Sequence, residues 1–115
     1  MREIKFRAWN KRFKTMDFGG GDLLLRINES DFTEPQQYTG LKDKKGKDVY
    51  EGDIITNYGI TNEMKARKYQ IVFTDERARF SAYDLSSRWG TSISSYDMRQ
   101  CEVIGNVYEN PELLN

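Results

Sequence analysis

The amino-acid sequence predicts a mainly β fold: a small single-domain barrel or sandwich over residues 1–115, with an N-terminal β-hairpin and a short C-terminal helical turn. Three observations predict it. Apolar and β-branched side chains recur in about seven or eight short runs. Turn-forming residues separate those runs at intervals of roughly 8–12 residues. No stretch carries the 3.6-residue apolar period of a long amphipathic helix.

The elements follow in chain order. Ile4, Phe6 and Ala8 alternate with Lys5 and Arg7, the period of a half-buried strand with the apolar set inward and the cations outward. Trp9 closes that strand, polar residues 10–14 turn the chain, and Met16 and Phe18 give a second strand, so residues 2–18 read as a hairpin. Gly19-Gly20-Gly21 is a flexible break, and the run Leu23-Leu24-Leu25-Arg26-Ile27 reads as a buried strand, with a short helix as the alternative. Residues 28–36 are acidic and turn-like, with Pro35 as a breaker. Residues 37–41 form a short β segment, and the charged loop 42–48 reverses at Gly46, which needs a positive φ there. Gly52-Asp53 ahead of Ile54-Ile55-Thr56 reads as a tight turn feeding a strand. Residues 57–63 are loop-like. Residues 68–73 and 79–83 pair as a second hairpin. The serine-rich stretch 86–95 around Trp89 is expected to be an irregular, mobile loop. Residues 102–108 are a last strand, in which Gly105 marks a bulge or a close backbone approach. Asn110-Pro111 starts a helical turn that Leu113 and Leu114 would pin to the core.

Composition narrows the classes of function. An aromatic share of 13% supplies bulky core material and argues for a folded chain. Lys and Arg balance Asp and Glu at 18 each, so no global field draws nucleic acid or an anionic membrane. The charge is uneven along the chain. Residues 1–15 hold six cations against Glu3, a net of +5, and residues 97–115 hold four acids against Arg99, a net of −3. The two ends are expected to neutralise each other as neighbours in the fold. Cys101 is the only cysteine, which excludes an intramolecular disulfide; with no signal peptide in view, the expected setting is the cytoplasm. Apolar runs are too short to span a bilayer, so no membrane is expected. Asn28-Glu29-Ser30 matches a glycosylation sequon by chance in that setting.

Several chemistries drop out. The chain has no histidine, which removes a Ser-His-Asp triad, a Cys-His pair and any imidazole zinc site; one thiol cannot make a thiolate zinc site. Cys101 reads as a buried, inert thiol. Asp43, Asp48, Glu51 and Asp53 are the densest acidic group, but lysines stand where a calcium loop needs oxygens, and turn and capping roles suit these carboxylates better. No Gly-Lys-Ser/Thr follows the glycine triplet, so a P-loop is excluded. The chain is therefore expected not to be an enzyme and to carry no metal and no cofactor. Partner binding remains. Trp89 is the candidate exposed aromatic anchor. Lys5, Arg7, Lys11 and Arg12 beside Trp9 form a candidate basic strand, and Arg67, Lys68, Arg77 and Arg79 beside Tyr69 a second basic group. A solvated outer face accounts for the same charges.

Three segments carry a family resemblance: residues 2–9 (REIKFRAW), residues 37–54 (QYTGLKDKKGKDVYEGDI) and residues 103–114 (VIGNVYENPELL). In order and wording they resemble the YopX family of small phage and prophage proteins across essentially the whole chain. The resemblance implies a mostly β fold and a phage or prophage origin in Gram-positive bacteria, and it carries over no catalytic residue. Gly52-Asp53-Ile54-Ile55 is also similar to the turn-into-strand element of SH3-like barrels. The expected function is that of a non-enzymatic accessory protein that binds a host or phage protein, with nucleic-acid binding through the N-terminal basic strand as the alternative. Exposed strand edges would also allow copies to pair as a homo-oligomer.

Overall fold

The computed structural model describes residues 3–27, 31–57, 67–74, 79–86, 90–92 and 100–114. Its elements are β1 (Phe6–Asn10), β2 (Thr15–Gly19), α1 (Gly21–Arg26), β3 (Gln36–Lys42), β4 (Asp48–Tyr50), β5 (Asp53–Asn57), β6 (Arg67–Thr74), β7 (Arg79–Asp84), β8 (Gly90–Ser92), β9 (Cys101–Asn106) and a 3-10 turn at Pro111–Leu114. One sheet has the order β2-β1-β3-β4 and the other β8-β7-β6-β5-β9. The described pairs within both are antiparallel.

Alternation on β6 and β7 turns Tyr69, Ile71, Phe80 and Ala82 to one face, where they meet Ile55, Cys101 and Val103. Val49 of β4 is buried in this cluster and Leu41 of β3 packs against it, so the β3–β4 hairpin lids the five-stranded sheet and closes the core between the layers. Each buried aliphatic side chain here contributes about 1.5–3 kcal/mol relative to exposure.

Most local expectations hold. The N-terminal hairpin forms with Trp9 opposite Met16, and the second hairpin pairs Phe73 with Phe80. Its tip, 75–78, lies outside the described residues. Gly46 adopts φ +80 and Gly52 φ +87. The β5–β9 register slips between Ile54, opposite Gly105, and Ile55, opposite Val103, which is the bulge. A Cβ on Gly105 would lie 2.5 Å from Asn110 Oδ1, which is the close approach as well.

Four expectations are corrected. Residues 21–26 are helical, not strand: three leucines favour a helix and none is β-branched, while Asp22 accepts a hydrogen bond from the Gly20 N–H. Gly90–Ser92, inside the stretch expected to be an irregular loop, pairs with β7 as an edge strand, because main-chain pairing needs no apolar side chain. The C-terminal turn forms, yet none of its residues is fully buried. Among the described residues no ion pair joins the two chain ends. Lys5 pairs with Asp48 and Glu3, while Glu102 pairs with Lys44 and Lys45, so the central loop serves both ends.

Candidate functional site

Where the chain passes from β4 to β5 it changes sheets, and the corner is locked by a buried polar knot. Arg7 reaches it from β1. Its guanidinium lies 2.8 Å from Asp53, donates to Gln36 Oε1 at 2.8 Å and to the Glu51 carbonyl at 3.1 Å, and sits 4.8 Å from the centre of the Tyr50 ring. Asp53 also accepts the Tyr50 N–H at 2.7 Å. The Gly52 N–H donates to Ile71 O, and Gly52 O accepts from Val107 N–H. Only glycine serves here, since a Cβ would lie 2.1 Å from Gln36 Nε2 and φ is positive. Burial pushes the Asp53 carboxyl up, with Arg7 and the Tyr50 N–H acting against it.

The other carboxylates of the acidic segment point elsewhere. Asp43 accepts the N–H groups of Lys45, Lys47 and Val103, tying the charged loop to β9. Burial raises its pKa, but these three donors outweigh burial and leave it below the usual carboxylate range. Asp48 is likewise raised by burial and lowered, on balance, by Lys42 and Lys5. Lys5 and Lys42 are pushed up mainly by their hydrogen bonds to Asp48, and Tyr50 by burial. Among the described residues no three acids or thiols converge as a metal site.

Over the Lys5–Asp48 pair the surface opens. Ile4, Phe18, Gly19 and Gly20 line a cleft of about 550 Å³ together with Glu3, Lys5, Asp48 and Tyr50. Ile4 is 62% exposed and Phe18 57%, with the Phe18 ring edge-on to Tyr50 at 5.7 Å. Phe18 is on view because β2 is the edge of its sheet.

The residues singled out from the sequence scatter. Arg7 is 4% exposed, which corrects its place on the outer face: the second layer covers the side of β1 that carries Arg7. Trp9 is half-buried and stacks on Tyr108 at 6.2 Å with the rings 6° apart. Lys5 is half-buried in its ion pairs. Lys11 and Arg12 stand at the exposed hairpin tip, where Asn10 Oδ1 accepts the N–H groups of Arg12 and Phe13. Trp89 and Arg77 lie outside the described residues. In the second basic group Tyr69 is buried, Arg67 pairs with Asp84, and Lys68 donates to Leu113 O. The alternation puts Ile4 in the inward set and Phe18 on a second strand, and neither is a site residue on sequence grounds; the glycine triplet after Phe18 is the available signal of an open flank.

The three segments that carried the resemblance meet at this corner: Arg7 with Asp53, Lys5 with Asp48, Trp9 with Tyr108, and Gly52 with Val107. Fold and surface together define a small all-β protein of two antiparallel sheets, joined by a buried ion pair beside an open apolar cleft. The chain belongs to the YopX family, whose model, described as YopX protein, matches residues 23–115. It is also similar to protein EF1440 from Enterococcus faecalis, a crystal structure 23% identical that aligns over 100% of both chains with a TM-score of 0.66, a likeness of fold. No curated protein matches the chain. No helix among the described residues is long and apolar enough to cross a membrane.

Proposed function

We propose that this chain is a non-enzymatic accessory protein of phage or prophage origin that acts in the host bacterial cytoplasm by binding a protein through the Ile4–Phe18 cleft. The observation that carries this reading is the pair of large apolar side chains left exposed over a floor whose charges are already satisfied. Such a surface gains by excluding water and has no polar group that needs a reactive ligand. The titrating groups around it support the same reading. Lys5, Lys42 and Tyr50 are pushed up and Asp48 down, all away from neutrality, whereas general acid–base chemistry favours a pKa near the working pH.

The test is a capture experiment from host lysate with the wild-type chain and an Ile4→Ser/Phe18→Ser variant as paired baits. A protein retained by the wild type alone, and bound again when purified, supports the proposal. Equal retention by both baits, or retention by neither, sinks it. The alternative, nucleic-acid binding by the basic strand, now rests on the hairpin tip, since Arg7 and Tyr69 are buried. Nuclease-sensitive retention would favour that alternative.

A further inference from the structure

We infer that the tip of the β1–β2 hairpin is a second binding site, separate from the Ile4–Phe18 cleft, and that it takes a segment of single-stranded nucleic acid. The tip is Lys11, Arg12, Phe13 and Lys14, all four exposed, Phe13 to 67%. Residues 10–15 contain no acid. Lys11, Arg12 and Lys14 make no ion pair among the described residues, whereas Lys5, Arg7, Lys42, Lys44, Lys45 and Arg67 each meet a carboxylate. The Arg12 guanidinium lies 5.3 Å from the centre of the Phe13 ring, so charge and ring share one small surface.

The residues chosen for the tip run against local preference. Lys14 adopts φ +54 and is the one non-glycine residue with a positive φ among the described residues. Glycine or asparagine holds that conformation at less cost, and an exposed ring at a turn adds nothing to the core. Such departures gather at functional sites. The frame beneath is firm. Asn10 Oδ1 accepts the N–H groups of Arg12 and Phe13 at 3.0 Å each. The Lys11 N–H donates to Asp31 O at 2.7 Å, and the Thr33 N–H to Trp9 O at 3.0 Å. A site held this way loses little freedom on binding.

Charge and ring together identify the ligand. Three cations without a partner call for a polyanion, and the ring calls for a flat face carried by that polyanion. A single strand supplies both: phosphates for Lys11, Arg12 and Lys14, and an unstacked base for Phe13. In a duplex the bases stack on one another and offer the ring no free face. An anionic bilayer holds a protein through buried apolar area, and one ring supplies little. With zero net charge over the chain, the attraction is confined to this patch.

Fluorescence anisotropy of a labelled oligothymidine of about 12 nucleotides tests this on the full chain. Binding is expected at about 50 mM salt and should weaken about 20-fold by about 200 mM, the salt dependence of three neutralised phosphates. An abasic strand of the same length should bind about fivefold or more weakly, and Phe13→Ala should lose a similar factor, because the stack is gone. Lys11→Met/Arg12→Gln should weaken binding about tenfold and flatten its salt dependence. Lys14→Asn separates ligand from fold: affinity should fall while the urea midpoint holds or rises, since asparagine relieves the left-handed strain. Ile4→Ser/Phe18→Ser should leave the affinity unchanged, so this inference and the cleft proposal fail independently. No binding at low salt, an abasic strand held as tightly, or tip variants that bind like the wild type overturns the inference. So does tighter binding to a duplex of the same length, to polyglutamate or to phosphatidylglycerol vesicles, which would assign the tip to another anion.

Discussion

Replacing Arg7 by methionine should cost the fold about 3–5 kcal/mol, the usual penalty for stripping one partner from a buried ion pair. Methionine keeps much of the apolar stem and removes the charge. Asp53 would then stay inside the joint with the Tyr50 N–H, while Gln36 Oε1 and the Glu51 carbonyl lose a donor. The side chains of Arg7 and Asp53 are 5% and 2% exposed, so water does not replace what is lost. Urea unfolding followed by tryptophan fluorescence reads the change. With an m-value of about 1–3 kcal/mol/M, a loss near 4 kcal/mol moves the midpoint by roughly 2 M. Asp53→Asn keeps an acceptor for Tyr50, and the double variant should cost less than the two single losses together by about 1–3 kcal/mol. The pH dependence is signed. Burial raises the Asp53 carboxyl and Arg7 opposes it, so removing Arg7 raises it further. With the folded-state pKa above the unfolded value, the variant's deficit is full at higher pH and shrinks as pH falls through the folded-state pKa. A loss below about 1 kcal/mol, with Arg7 and Asp53 changes additive, would mean a solvated arginine and refute the joint.

Three further outcomes are expected. Gly52→Ala should cost about 2–4 kcal/mol, since it combines a positive φ with a clash on Gln36, whereas Gly46→Ala, at φ +80 but with open space, should cost about 1–2 kcal/mol; equal losses by urea titration would contradict the clash. Asp43 and Asp48 have folded-state pKa values below the ordinary range, so their stabilisation is full above an unfolded value of about 3.9 and is lost as pH falls through the folded values. Urea midpoints at neutral pH and in stronger acid should therefore converge in Asp43→Asn relative to the wild type. In a Trp89→Phe background, Tyr108→Ala should red-shift Trp9 emission and cost about 0.5–1.5 kcal/mol beyond the area lost, and unchanged emission would show the stack to be absent in solution.

Much of the strand order along the chain could be read from residues alone. Period-two runs located β1, β6 and β7, and Gly52, Gly105 and Pro111 marked a corner, a bulge and a terminal turn for local steric reasons. The triple leucine misled because a short apolar run has no period, and helix propensity prevailed once the chain had left the sheet. The candidate site was less legible. Lys11 and Arg12 are exposed as expected, but the cleft draws Ile4 and Phe18 from positions that alternate like core residues.

What the sequence determined by itself is local: where strands start and turn, that no histidine or second thiol is at hand for catalysis, and that opposite charges gather at the two ends. Only the tertiary structure decided which face of a strand is inside. Alternation separates two sets of side chains but does not say which layer covers them. Packing β5 and the Gly52 corner over the Arg7 face buried a cation, and leaving β2 at the edge exposed a phenylalanine. Burial depends on contacts between residues far apart in the chain, and the price of placing Arg7 inside is met by Asp53, 46 positions later.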